Sequence, residues 1–442
     1  MGGSSAINGM VYIRGSKDDY DGWAAELHDD SWKYANVLPL FRRSEDNKNI
    51  QDEYHGVGGP IRVSTPPYQS EVTEAFLDSA TQNGLAFNPD FNGERLAGVG
   101  RFQLTAYRDR RSSSADILEG ERLRPTVLLR HQVLRILLSG TKANGVEVVD
   151  ESGAVTAIYC EGAIALCAGA IETPLLLQRS GIGPADILRR AGIPITLDNP
   201  SVGSNLQDHL QVKVMYGTED SNSINGMQSD ILKTDCMPVQ KRERLTVGAG
   251  VVGLFTGSEP DLPTPDTQFH LLPFSEAAPG QLHSTGGITL SVCSLRPESR
   301  GSVHVQSNNP AVRPIIDCSY LKVKSDIIPL RNGLRLLKRI VLGMGSSIAS
   351  CLSDLPTEFA SDQQLDDYIR ITSSSIYHPA GSCAMSWQGG VVSSSLEVKG
   401  IQQLWIADAS VMPSLVSGNT NAACMMIGER GAESIAVALG LS

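Results

Sequence analysis

The sequence predicts a mixed α/β (α+β) fold, a truncated doubly wound lobe with a sheet-and-helix domain inserted into it. Three observations predict it. AIALCAGA, residues 163–170, is a continuous apolar run that leads into a helical stretch from Thr173 to Arg179, the pattern of a buried parallel strand feeding its crossover helix. VLLRHQVLRILL, GVEVV and AVTAIYC are short β-rich runs separated by the turn signals SGTKANG and DESGA, which reads as a small antiparallel meander. Beyond residue 212 the character changes to a turn-rich TEDSNSINGMQSD, strands GITLSVCSL and GSVHVQ, and a helical LRNGLRLLKRIVL, a sheet with a covering helix.

The chain opens with paired glycines and two serines placed to cap a short helix, whose backbone donors could face an anion or a planar ring. Helical spacing follows from Asp21 to Asp46, with Trp23, Trp32, Val37, Leu38, Leu40 and Phe41 on the apolar positions, and ends at the turn DEYHGVGGP. The organisation expected is residues 1–212 as the N-terminal part of the doubly wound lobe, 213–372 as the inserted domain, and 373–442 as a segment returning to that lobe. The serine runs 373–375 and 393–395 are too short for linkers, and no internal repeat is evident.

With 442 residues, 41% apolar and 19% charged, the chain can bury two or three lobes. Its net charge of −11 excludes nucleic acid as an expected partner, since a polyanion demands a basic footprint. No apolar run approaches the roughly 18 residues of a membrane span, and no basic start precedes an apolar stretch. MGGSSA misses a myristoylation signal because Ala6 stands where Ser or Thr is required. The eight cysteines are scattered, without a CxxC pair, and read as small buried hydrophobes of a reducing compartment, so a cytoplasmic location is expected. No metal cluster and no GxSxG elbow is recognised.

Four strings carry chemistry: MGGSSAINGMVYIRG at the start, GAIETPLLLQRSGIG at 169–183 followed by VGSNLQDHL, and YHPAGSCAM and SGNTNAA near the end. Singly, a His before Pro reads as a loop or satisfied core residue, and an Asn in GNTN as a turn residue. Together and in this order the strings resemble the glucose-methanol-choline (GMC) oxidoreductases, FAD-dependent alcohol dehydrogenases and oxidases, choline dehydrogenase among them, over nearly the whole chain.

The resemblance implies a catalytic pair, His378 and Asn419. His378 would take the hydroxyl proton of an alcohol, and Asn419 would donate a hydrogen bond to the developing alkoxide. It further implies flavin contacts at Gly3, Ser4, Asn8, Gly9, Met10 and Val11, and an adenine contact through the backbone of Val133. Asp408 and Ala409, after the apolar LWIA, lie where relatives run alongside the flavin, although an Asp at a strand end equally reads as a helix cap. Ile7 stands where some relatives carry a flavin-linked histidine, so FAD is expected to be noncovalent. His209 in DHL and His55 in HGVGG read as structural, and His28, His131, His270, His283 and His304 carry no motif.

No strand–GxGxxG–helix unit, with its pyrophosphate cradle and ribose-binding acid, is present. Losing two or three charge-assisted hydrogen bonds of about 1.5 to 3 kcal/mol each leads to an expectation of weak FAD binding by the chain alone. Three functions stay open: a form of an ordinary FAD alcohol oxidoreductase, a flavin-free acid/base enzyme (lyase, isomerase or cyclase), or a non-catalytic protein. The first is favoured, because the residues needed for alcohol oxidation are kept. The substrate expected is a small-molecule alcohol and the electron acceptor oxygen or a quinone-type carrier.

Overall fold

The computed structural model describes every residue except 120–124, 221–222, 228–241, 244, 279, 357–359 and 442. Part of TEDSNSINGMQSD therefore lies outside the described residues, as does Cys236. The chain opens with a 3-10 turn, Gly3–Ala6, but the serines do not cap it. Gly2 and Gly3 both take positive φ, 95° and 53°, so the turn is set by glycine backbone, while Ser5 folds its hydroxyl back onto the Gly2 carbonyl.

β1 (Val11–Tyr12) pairs with the short strand Gln103–Leu104. Ser16 then caps α1 (Lys17–Leu27) in a capping box with Asp19, which accepts from the Ser16 N–H at 2.8 Å. α1 stops at His28, in left-handed conformation, and α2 (Tyr34–Ser44) follows. Their apolar faces meet in an aromatic core in which Tyr20 and Trp23 lie edge to face at 5.1 Å, and Trp23 and Trp32 at 5.9 Å.

Beside this core lies a buried network of alternating charge. Arg14, fully buried, is ion-paired to Glu45 and donates to the Tyr54 carbonyl at 2.7 Å. Glu45 accepts from His55 Nδ1 at 3.1 Å, and His55 Nε2 meets Asp90 at 2.9 Å. Asp52, His55 and Asp90 converge within 4.8 Å, a cluster spread over 39 sequence positions that no spacing motif reveals. Both ring nitrogens of His55 are taken by carboxylates, so a proton holds this cluster together.

Burial alone would lower the His55 pKa, but its bonds to Asp90 and Glu45 outweigh that and raise it to about 9. Because the folded pKa lies above the unfolded value near 6.5, the stabilisation is complete below pH 6.5 and disappears as pH rises through about 9. Melting curves from pH 6.5 to 10 are expected to show a loss of about 3 kcal/mol that His55→Gln lacks. A wild-type stability flat over that window would contradict the assignment.

β2 (Gly98–Arg101) leaves this region to join a large sheet. β3 (Gln132–Ser139), β4 (Lys142–Val149) and β5 (Val155–Tyr159) form the expected antiparallel meander. β6 (Ile164–Leu166) follows, parallel to the later strand Leu404–Ile406, and leads into α3 (Gly169–Arg179). The expectation that this strand is buried on both faces is corrected: Ala165, Cys167 and Ala168 are exposed. Among the described residues β6 has a single hydrogen-bonded neighbour, so it forms an edge of its two-stranded sheet.

The cysteine expectation is corrected in part for the same reason. Cys293 and Cys383 are buried, but Cys167 and Cys351 are exposed, the latter in an edge strand. All seven described cysteines are free thiols.

The large sheet runs in the order Ser350–Cys351, β7 (Leu210–Gly217), then Gly287–Ser294, Thr267–Leu272, Val252–Thr256 and β2. In chain order the last three named ranges are β8 (Val252–Thr256), β9 (Thr267–Leu272) and β10 (Gly287–Ser294). All of these pairings are antiparallel, and the short strand Ser374–Ser375 adds to the start of β7. One face, with Val212, Val214, Leu290 and Val292, packs on Leu330, Leu334, Leu337 and Ile340 of α4 (Ile327–Gly343). The period of two along each strand turns Gln211, Lys213, His270 and Ser291 to the opposite face. β11 (Leu404–Ile406) and α5 (Asn421–Ala438) complete the chain. No helix among the described residues is long and apolar enough to cross a membrane.

Candidate active site

The face of the large sheet opposite α4 forms one wall of a cavity of about 510 Å³. Ser4, Asn8, Gly9, Met10, Val11, His378 and Asn419 all line it, so residues more than 400 positions apart in sequence share one space. Gly3, Val133, Asp408 and Ala409 are not among its lining. Val133 lies on β3 opposite Val148. Asp408 caps a 3-10 turn through Ser410 N at 2.8 Å, and its other oxygen accepts from Gly169 N at 2.9 Å and Thr173 Oγ1 at 2.6 Å.

The segment Asn8–Val11 is pinned by Arg111, which donates to the Asn8 carbonyl and side-chain oxygen, each at 2.7 Å. Asn419 enters the cavity just before α5. Gly418 makes this possible: at φ 137° its backbone passes so close to Ile13 that a Cβ would sit 2.5 Å from Ile13 Cγ2. His378 is buried on the loop after Tyr377, with its N–H held by Asp208 at 2.9 Å. Asp208 also accepts from Tyr320 and Ser375 hydroxyls, each at 2.5 Å.

A chain of hydrogen bonds fixes which nitrogen of His378 is free. His209 Nε2 lies 3.0 Å from the Leu295 carbonyl, which can only accept, so Nε2 carries the His209 proton. Burial keeps His209 neutral, lowering its pKa to about 4, which leaves its Nδ1 as an acceptor. His378 Nδ1 stands 3.0 Å from that acceptor and therefore donates to it. His378 is itself held well below the usual histidine range, by burial first and then by His209 and His270. Its Nε2 thus presents a lone pair, 3.3 Å from Asn419 Nδ2. Gln268 donates to Asn419 Oδ1 at 3.1 Å, which orients that amide nitrogen toward the histidine.

Sequence reasoning took His209 as structural and gave His270 no role, yet one touches His378 and the other lines the cavity. His270 accepts or donates at Nδ1 with Ser291 at 3.2 Å, while its buried Nε2 has no protein partner. The alternation in TQFHLL, with Gln268, His270 and Leu272 on one strand face, is the signal that could have found it.

Family models described as GMC oxidoreductase match residues 1–211 and 297–428. The oxygen-dependent choline dehydrogenase of Paraburkholderia phymatum is 34% identical over 98% of this chain and 78% of its own length. The chain belongs to the GMC oxidoreductase family. Among solved structures, pyridoxine 4-oxidase from Mesorbium loti superposes with a TM-score of 0.85 at 29% identity, covering 97% of this chain and 82% of that one. An FAD-dependent oxidoreductase from Chaetomium thermophilum gives 0.89 at 26% identity, covering 99% and 86%. As a GMC oxidoreductase the chain is an FAD-dependent enzyme acting on the CH–OH group of an alcohol, as its motifs implied.

The residues present fit the flavin of a GMC enzyme. Asn421 lines the cavity with a buried amide nitrogen that has no protein partner. It begins an 18-residue helix whose first backbone N–H groups also lack intrahelical acceptors and whose N-cap makes no side-chain bond. These donors would hold the polar edge of the ring, and the pinned Asn8–Val11 segment would lie against it. Ile7, 84% exposed, offers no nucleophile for a covalent link.

Proposed function

We propose that His378 is the general base and Asn419 the hydrogen-bond donor of alcohol oxidation, with FAD held noncovalently in the same cavity. The observation that carries this is the single proton chain from Leu295 O through His209 to His378, which leaves the Nε2 lone pair facing Asn419 Nδ2. An alcohol oxygen seated beside the pair, within hydrogen-bond reach of both nitrogens, replaces their direct bond, donates its proton to Nε2 and accepts from the amide. Loss of that proton makes the carbinol C–H a better hydride donor, and Asn419 stabilises the alkoxide as it forms. FAD, when bound, supplies the hydride acceptor. Both side chains are oriented by neighbours, His378 by His209 and Asn419 by Gln268, before substrate arrives.

On this reading residues 1–212 and 373–442 build the flavin side and residues 213–372 the substrate side. Electrons leave to oxygen or a quinone-type carrier. The free state of all described cysteines supports a reducing, cytoplasmic compartment. The test is anaerobic mixing of the protein, supplied with FAD, with primary alcohols while the visible flavin band is followed. Bleaching by alcohol is expected, and Asn419→Ala should slow it less than loss of the base does. A flavin band that no alcohol bleaches would overturn the proposal.

A further inference from the structure

The substrate wall of the cavity carries an unbalanced charge. Lys213 of β7, Ser291 of β10 and His270 of β9 lie in one transverse row, Lys213 opposite Ser291 and Ser291 opposite His270, and all three line the cavity. No Asp or Glu is among the described lining residues, and Gln211, two positions before Lys213 on the same face, is a neutral amide. Among the described residues Lys213 makes no ion pair and no side-chain hydrogen bond. Asp208, beneath the His378 loop, gives its oxygens to Tyr320, Ser375 and the His378 N–H. His270 is pushed down to about 4, by burial first, against an opposing effect of Asn419, with the field of Lys213 a smaller contribution in the same direction as burial.

Within the alcohol oxidation proposed above, on which this rests, we infer that the substrate is an alcohol bearing an anionic group, with Lys213 as its counter-ion. Two interstrand steps of about 4.8 Å place the Lys213 backbone roughly 10 Å from that of His270, so the ammonium shares with His270 the cavity that His378 and Asn419 also line. Quaternary ammonium alcohols, the substrate named for the choline dehydrogenase relatives, meet a cation here with no carboxylate among the described lining residues to receive them. Carboxylate and phosphate share the chemistry that Lys213 recognises, several strong acceptor oxygens and negative charge.

Binding of the unreactive analogues butanoate, butyl phosphate and tetramethylammonium to the FAD-supplied protein, read by calorimetry, tests this without turnover. Anion binding is expected, with the tighter of butanoate and butyl phosphate naming the group, and Lys213→Met should weaken it about 10- to 100-fold. Lys213→Glu should reverse the preference toward tetramethylammonium, and circular dichroism shows whether either variant stays folded. Tetramethylammonium binding tighter than both anions, or equal anion affinity in wild type and Lys213→Met, would overturn the inference. Lys213-dependent anion binding without flavin bleaching by any terminal hydroxybutanoate or other alcohol would instead leave the anion site standing and remove the oxidation chemistry.

Discussion

His378→Ala is expected to slow flavin reduction by alcohol about 10²- to 10⁴-fold, the range forfeited when a general base is removed. The fold offers no substitute. His209, the nearest imidazole in the chain, is fully buried and already bonded at both nitrogens, to Leu295 and to His378. His270 lines the cavity with an unpartnered Nε2, but no proton chain like the one running from Leu295 through His209 fixes its tautomer. The pH profile supplies a second readout. Because burial, His209 and His270 depress the His378 pKa well below 6.5, the base form persists into acid, and the reduction rate should stay level through pH 6.5 before falling. His209→Leu removes the acceptor for His378 Nδ1–H, so the acid limb should move while the fold remains. Rapid-mixing measurements decide both parts: equal rates for wild type and His378→Ala would take this histidine out of the mechanism.

The second large effect is on stability. Arg14→Met should cost about 3–5 kcal/mol, the penalty for leaving one member of a buried ion pair unpaired. Glu45 and Arg14 both have fully buried side chains, and the guanidinium also holds the Tyr54 carbonyl and lies over the Phe41 ring at 5.5 Å. Methionine fills much of the volume but leaves the Glu45 carboxylate without its guanidinium, held by His55, the Asn47 amide and the Gly56 N–H. The double variant Arg14→Met/Glu45→Leu removes both charges and should recover part of the loss, which urea melts of the cycle would measure. A single variant within about 1 kcal/mol of wild type would show that the pair adds nothing net.

What was legible in the sequence was whatever lies contiguous in it. The strings around Asn8, His378 and Asn419 announced a shared site, and the cavity unites them. The meander and the helix Ile327–Gly343 followed from turn signals and periodicity. The roles of His209, His270 and Lys213 were not legible, because they arise from register between strands that are dozens of residues apart. The charge network was hidden for the same reason: Arg14, Glu45, His55 and Asp90 share no spacing that chemistry requires. Cys167 was misjudged because an apolar run shows that a strand can be covered on both faces, not that a neighbour is there to cover it.

The proton chain that sets the base ends on a main-chain carbonyl, that of Leu295. Any amino acid supplies such an oxygen, so mutation at that position leaves the tautomer of His378 as it is. In the transverse row Lys213 and Ser291 touch neither nitrogen of that ring, whereas His270 adds to the depression of its pKa. If Lys213 selects the substrate as proposed, a lineage could exchange its alcohol by altering that one residue of the row while leaving the hydrogen bonds around its base in place.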